Sequence, residues 1–353
     1  MLEQFTVQLQ QSAPLTDAAV AEAVAHLVDE HVPAETKAGF LSALARKGES
    51  TEEITAFARA LRARSIQPPL DAETRAREIL DVCGTGGDRL NTFNISTTVA
   101  LVASAAGVTV AKHGNRAITS QAGSADVLEA LGLRIELRPD EAADWLRDHR
   151  FAFFFAPNYH PAFQHIGPAR RLCAQRGQRT LFNFLGPLLN PARPSAQLVG
   201  VPRPQLTDPM AKTLQALGVR RGMVVCGQVQ TPAGPAHLDE LSTLGENTVS
   251  EFYHDNGFNR SALLPEHFPI QPATLSDLAG GDGLANAEIV RRILLGHERG
   301  PKRDAVLLNA GAALFVAGQC RTVLDGWEQA AEVIESGKAR RKLEELVEAS
   351  GRR

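Results

Sequence analysis

The chain reads as an α/β protein, with a small all-helical N-terminal domain and a larger α/β domain built on a mainly parallel central sheet. Three observations predict this. Residues 17–29, 34–46 and 51–64 place Ala, Leu, Val or Phe at three- and four-residue steps, with Thr16, Pro33 and Ser50 as start signals. Beyond residue 70 the pattern changes to short apolar runs at 79–83, 108–111, 133–137, 151–156, 196–201, 222–227 and 304–309. Helical stretches such as 139–149 and 205–217 separate them, the signature of a parallel sheet covered by helices. Finally, glycine-rich and hydroxyl-rich loops follow the runs at 79–83 and 108–111, where open α/β sheets hold their ligands.

Taken in order, the three N-terminal helices form a bundle over residues 1–70. Ser65-Ile66-Gln67-Pro68-Pro69-Leu70 ends it, because two prolines cannot continue a helix and they stiffen the crossing into residues 71–353. The tail, 310–349, reads as two or three helices broken at Asp325-Gly326 and Ser336-Gly337.

With 353 residues and 44% apolar composition, the chain can bury a large core. A formal charge of −3 gives no general basic field, so nucleic acid is disfavoured as the main partner. The start, MLEQFTVQLQ, lacks the basic and apolar regions of a secretory signal, so a cytoplasmic location is expected. Residues 95–111 are uncharged, but they are interrupted by Ser, Thr and Gly107 and fall short of the about 20 apolar residues of a bilayer span. No membrane segment is expected. Cys83, Cys173, Cys226 and Cys320 show no paired metal-ligand spacing and read as reduced structural thiols.

The densest chemical signal is DVCGTGGDRLNTFNISTTVALVASAAGVTVAKHGNRAITSQAGSADVLEALG, residues 81–132. Glycines 84, 86 and 87 let a phosphate approach the backbone and permit positive φ angles that turn successive N–H groups to one side. Thr92, Asn94, Ser96 and Thr97 follow where an apolar helix begins, and a helix N-terminus favours an anion. The second loop, Lys112-His113-Gly114-Asn115-Arg116, adds an ammonium, an amide and a guanidinium. Ser124 then opens a further helix as cap or phosphate donor.

GTGGD, TFNIST, KHGNR and GSADVLEALG, in this order and spacing, resemble the anthranilate phosphoribosyltransferase family. The likeness continues through 155–161 (FAPNYHP), 183–191 (NFLGPLLNP) and 238–242 (LDELS), and so covers nearly the whole chain. It implies the nucleoside phosphorylase/phosphoribosyltransferase-like fold, with a segment near 165–182 joining the helical domain, and a homodimer. It further implies transfer of the phosphoribosyl group of 5-phosphoribosyl 1-pyrophosphate (PRPP) to anthranilate in tryptophan biosynthesis.

Carried over residue by residue, the resemblance gives PRPP contacts at Gly84, Gly87, Asp88, Thr92, Asn94, Ser96, Thr97, Lys112, Asn115, Ser120 and Ser124. Mg²⁺ is implied at Ser96, Asp239 and Glu240, the acidic pair being expected in a loop after a strand at 223–226. Hard oxygen donors suit that ion. Anthranilate is implied at Gly84, Asn115, His160 and Arg170, with His113 lining the pocket and Arg171 as the alternative arginine. A guanidinium grips a carboxylate through two parallel hydrogen bonds. Gln121-Ala122 stand where relatives commonly carry a second serine. Two other readings share parts of this signal: a pyrimidine-nucleoside-phosphorylase-like enzyme, and a nucleic-acid-binding paralogue without transferase activity. The acidic pair and the KHGNR form weigh against the first, and the presence of Gly84, Ser96, Lys112 and the acidic pair against the second.

Overall fold

The computed structural model describes residues 2–117, 121–231, 234–254 and 257–351. Four helices open the chain: Leu2–Gln10, Asp17–Val28, Ala34–Lys47 and Thr51–Arg62. The last three match the expected periodicity within two residues, and two start as their sequences dictate. The Thr16 hydroxyl accepts from Ala19 N, and Ser50 with Glu53 forms a reciprocal capping box. The first helix covers most of the opening MLEQFTVQLQ stretch, for which the helical pattern above makes no prediction.

Eight strands form one sheet: β1 (Ile79–Gly84), β2 (Thr109–Gly114), β3 (Phe151–Phe155), β4 (Ala196–Gly200), β5 (Arg221–Thr231), β6 (Gly234–Leu238), β7 (Asn247–Tyr253) and β8 (Asn259–Leu263). The order is β3-β2-β1-β4-β5-β7-β8, with β6 also paired to β5. The first five are parallel neighbours, while β5–β6, β5–β7 and β7–β8 are antiparallel.

Four expectations need correction. The run 133–137 is irregular: Leu133, Ile135 and Leu137 are buried, but β3 already occupies the sheet edge beside β2, so no ladder remains for them. The run 304–309 lies inside the helix Pro301–Val316, which is buried nearly all round and therefore shows no helical stripe. Asp325-Gly326 is no break, since both residues belong to the helix Val323–Glu335; a Cβ on Gly326 would lie 2.4 Å from Gly311 O, so this glycine serves helix contact. The acidic pair follows the β5–β6 hairpin and so comes after β6.

The central strands separate two cores, because successive side chains point to opposite faces. Leu80, Val82, Leu198, Met223 and Val225 join one core, with the helices Ile95–Ala105 and Pro301–Val316. Cys83, Val199, Val224 and Cys226 join the other, with the N-terminal helices and the helix Thr207–Ala216. That second core also takes Ile166, Ala169 and Cys173 from the segment containing the helix Gly167–Gln175. Lys37 Nζ donates to His165 O at 2.9 Å and Gln178 Nε2 to Ser42 O at 3.0 Å, which fastens this segment to the N-terminal helices.

Asn309 connects the fold to the acidic pair. Fully buried on Pro301–Val316, its amide accepts from Leu241 N and donates to Leu241 O, both at 2.9 Å. Replacing Asn309→Leu strips the side-chain partner from both the N–H and the C=O of the buried Leu241. The expected cost is roughly 2–4 kcal/mol, read as a lower urea midpoint for unfolding. An unchanged midpoint would contradict the role given to this amide.

Candidate functional site

The carboxyl ends of the parallel strands carry glycines, and the segment 239–242 lies directly on them. A Cβ at Gly84 would stand 2.2 Å from Asp239 Oδ2, one at Gly200 1.5 Å from Asp239 O, and one at Gly227 2.6 Å from Glu240 O. Gly84 and Gly200 are register partners across β1 and β4, so together they form a floor without side chains.

On this floor Asp239 Oδ2 accepts from Gly86 N at 2.6 Å, and Glu240 Oε1 accepts from Ser96 N at 3.2 Å. Burial raises the Asp239 carboxyl well above its ordinary range, and the negative charges of Asp88 and Glu240 add to the shift. Burial also raises Glu240, against which the Lys112 ammonium works. Asp88, Ser96, Lys112, Asp239 and Glu240 therefore share one electrostatic neighbourhood, although 151 positions separate the first from the fourth in sequence.

Gly86 and Gly87 have φ angles of 79° and 88°, which the turn above the floor requires of them. Asp88 Oδ1 accepts from Leu90 N, and Thr92 bridges Ala279. Asn94 is the N-cap of Ile95–Ala105, but its side chain makes no capping bond. Instead Asn94 Nδ2 donates to Ala122 O at 3.2 Å. The Thr97 hydroxyl is buried with no partner among the described residues.

The second loop differs from expectation in two respects. Lys112 does not stand in the open loop: it is 1% exposed, beneath the floor, donating to Val82 O at 2.8 Å, and burial lowers the pKa of its ammonium. Arg116 turns outward to Asp126 and Glu129, at 3.1 and 2.8 Å. Asp126 in turn accepts from Ala117 N and Gly123 N, drawing the two ends of this loop together. Asn115 is exposed, its Oδ1 accepting from Arg116 N, and Ser124 Oγ donates to Asn115 O at 3.4 Å. Ser120 lies outside the described residues.

One residue beyond Lys112, a chain of rings begins. His113 and His160 meet edge-on at 5.4 Å, His160 tilts against Phe163 at 5.1 Å, Phe163 meets Phe182 at 5.7 Å, and the Arg170 guanidinium lies 5.6 Å over the Phe182 ring. Arg170 is half-buried and its side chain has no hydrogen bond or ion pair among the described residues. Burial lowers its pKa. Arg171, by contrast, is exposed. Both imidazoles keep a buried Nε2 without a partner among the described residues.

Sequence reasoning missed several residues. Arg179 Nη2 donates to Gly87 O at 2.8 Å, linking the 165–182 segment to the glycine turn, and no pattern in the sequence marks it. Asn286 and Asn309 were legible in principle, since each is a buried amide inside a helix where Asn is a poor helix former.

Set against known proteins, this architecture is that of a glycosyltransferase. Residues 76–340 match the glycosyl transferase family, a/b domain, and residues 4–65 its helical bundle domain. Anthranilate phosphoribosyltransferase from Alkaliphilus metalliredigens is 46% identical over 313 residues, covering 88% of this chain and 87% of that protein. The crystal structure of anthranilate phosphoribosyltransferase from Thermus thermophilus superimposes with a TM-score of 0.87 at 41% identity, covering 98% of both chains. The Saccharomyces cerevisiae enzyme, in complex with PRPP and Mg, gives 0.86 at 28% identity over 99% of this chain and 97% of that one. The chain belongs to the anthranilate phosphoribosyltransferase family.

The histidine pair carries a pH dependence. Burial holds His113 down to about 3 and His160 down to about 4, so the folded chain refuses protons that the unfolded chain binds below about 6.5. This contribution is intact above pH about 6.5 and is lost as the pH falls toward about 4. Thermal melting between those limits is expected to fall less steeply for His160→Phe than for the parent; parallel slopes would argue against it.

Proposed function

We propose that the protein transfers the phosphoribosyl group of PRPP to the amine of anthranilate, giving N-(5-phosphoribosyl)anthranilate and pyrophosphate, in tryptophan biosynthesis. The observation that carries this reading is the adjacency of two unlike sites on β2. A partly buried acidic pair over a glycine floor stands beside Lys112, and the ring chain leading to a guanidinium unpaired among the described residues starts at His113.

In the reaction the bond from ribose C1 to the pyrophosphate oxygen breaks, a bond from C1 to the anthranilate nitrogen forms, and that nitrogen gives up a proton. Charge grows on the departing pyrophosphate, so donors fixed in advance are the largest aid. The backbone N–H groups of the glycine turn and of the Ile95–Ala105 N-terminus that the acidic pair does not take, with the side chains of Asn94 and Thr97, are the donors suited to it.

Mg²⁺ fits the acidic pair on this chain's own features. Asp239 and Glu240 are partly buried carboxylates whose mutual repulsion a cation relieves, and Ser96 adds a hydroxyl beside Glu240. Among the described residues no three His, Cys, Asp or Glu converge as a metal cage, and Mg²⁺ needs none because it keeps waters and bridges substrate phosphates. When bound, the ion supplies neutralising charge to pyrophosphate.

On the acceptor side Arg170 takes the anthranilate carboxylate, and its half-buried position against Phe182 favours it over the exposed Arg171. His113 and His160, neutral at assay pH, form the aromatic wall. The N-terminal helices and the 165–182 segment make up one domain, through which we place a homodimer in the cytoplasm; no helix among the described residues is long and apolar enough to cross a membrane.

Incubating the protein with PRPP, Mg²⁺ and anthranilate should consume anthranilate fluorescence; a folded preparation that leaves it unchanged refutes the reading. Arg170→Ala should raise the KM for anthranilate about 10- to 150-fold, equivalent to roughly 1.5–3 kcal/mol, and spare that for PRPP, while Arg171→Ala changes neither greatly. Gly84→Ala drives a methyl group into the Asp239 carboxylate. A displacement of that size is expected to lower kcat/KM for PRPP about 100-fold in steady-state kinetics.

A further inference from the structure

Asn286 lies on the helix Gly283–Leu294, whose Asp282 cap accepts from Ala285 N. Its amide is 2% exposed and makes two hydrogen bonds. Gly281 N–H donates to Asn286 Oδ1 at 2.7 Å, and Asn286 Nδ2 donates to Asn94 Oδ1 at 2.8 Å. Asn94 Nδ2 then donates to Ala122 O at 3.2 Å. Both ends of this relay are backbone groups of fixed polarity: an amide N–H can only donate, and a carbonyl can only accept. The direction of the two side-chain amides between them is therefore settled. Asn94 must present its oxygen to Asn286 and its NH₂ toward the Ala122 side.

Two consequences follow for the turn that opens the helix Ile95–Ala105. One Asn94 N–H has no partner among the described residues, so the side chain offers a donor and not an acceptor. Asparagine at an N-cap ordinarily turns its oxygen onto the first free N–H groups of the helix. Here that oxygen is held by Asn286 and makes no capping bond, so it does not compete with an anion for the helix N-terminus, where Ser96 N–H already meets Glu240.

We infer that Asn286 is a positioning residue for the sugar donor. By holding Asn94 Oδ1 it fixes the Asn94 amide as a donor toward PRPP and prevents it from capping the helix that faces the phosphate. The inference rests on the transferase reading above. It adds a residue on a separate helix, 192 positions from Asn94 in sequence, to the groups that set donor affinity.

Two variants test it. Asn286→Ala removes the hold on Asn94, which is then free to cap. Asn286→Asp keeps size and the acceptor for Gly281 N–H, but it turns a donor to Asn94 into an acceptor. Steady-state kinetics with PRPP and Mg²⁺ should give a KM for PRPP raised about tenfold in both, the anthranilate KM staying within about twofold of the parent. Asn286→Asp should keep its deficit at about 0.5 M salt, where a purely long-range charge effect is screened. Donor KM unchanged in a folded variant, equal rises for both substrates, or a deficit in Asn286→Asp that salt abolishes would each overturn the assignment. If Asn286→Ala fails to fold, the near-isosteric Asn286→Asp decides alone. A parent protein that binds no PRPP with Mg²⁺, measured by calorimetry, would instead reject the transferase reading itself.

Discussion

The structure turns on the partial burial of two adjacent carboxylates against backbone. Asp239 and Glu240 lie over strand positions at which Gly84, Gly200 and Gly227 leave no side chain in the way, and their carboxylate oxygens are met by the N–H groups of Gly86 and Ser96. Removing negative charge from water is costly unless hydrogen bonds or opposite charge compensate it. Here two backbone donors and the buried Lys112 compensate only in part, as the raised carboxyls show. Such a site is poised for a cation and a substrate that completes the count. Asn309 then anchors the following residue from behind, so the pair cannot easily relax away from its floor.

Much of this fold was legible in sequence because its signals are local. Residues 34–47 and 51–62 carry helical periodicity and recognisable starts, and the runs 79–83, 151–156 and 196–201 are short, β-rich and bounded by turn residues. The failures share a physical cause. A run such as 304–309 is apolar on all sides whether it is a buried strand or a buried helix, so periodicity cannot separate the two. Residues 133–137 alternate correctly for a strand but find no neighbour, which is a property of the whole sheet. Gly326 punctuates the sequence, yet it is there because the helix carrying Gly311 passes so close.

The site divides in the same way. GTGGD and TFNIST announce an anion loop through residue type alone, since glycine and hydroxyl chemistry is local. Lys112 reads as an exposed loop cation until tertiary structure shows it under the floor, and Arg116 reads as a ligand until Asp126 and Glu129 claim it. The ring chain from His113 to Arg170 draws on three separated segments, and nothing in any one of them specifies the others. Arg179 on Gly87 O is the extreme case, a side chain of unremarkable context whose partner is a carbonyl.

The alternation along β1, β4 and β5 has a wider reach. These strands are a common wall, with Val82, Leu198 and Val225 facing one hydrophobic interior and Cys83, Val199 and Val224 the other. Parity along a strand thus decides which half of the molecule a substitution injures. Neighbouring positions therefore hold different parts: one side packs with the helix that Asn94 opens, the other with the helical end that carries Arg170. A single wall of sheet lets each half pack by itself while both keep one frame in common.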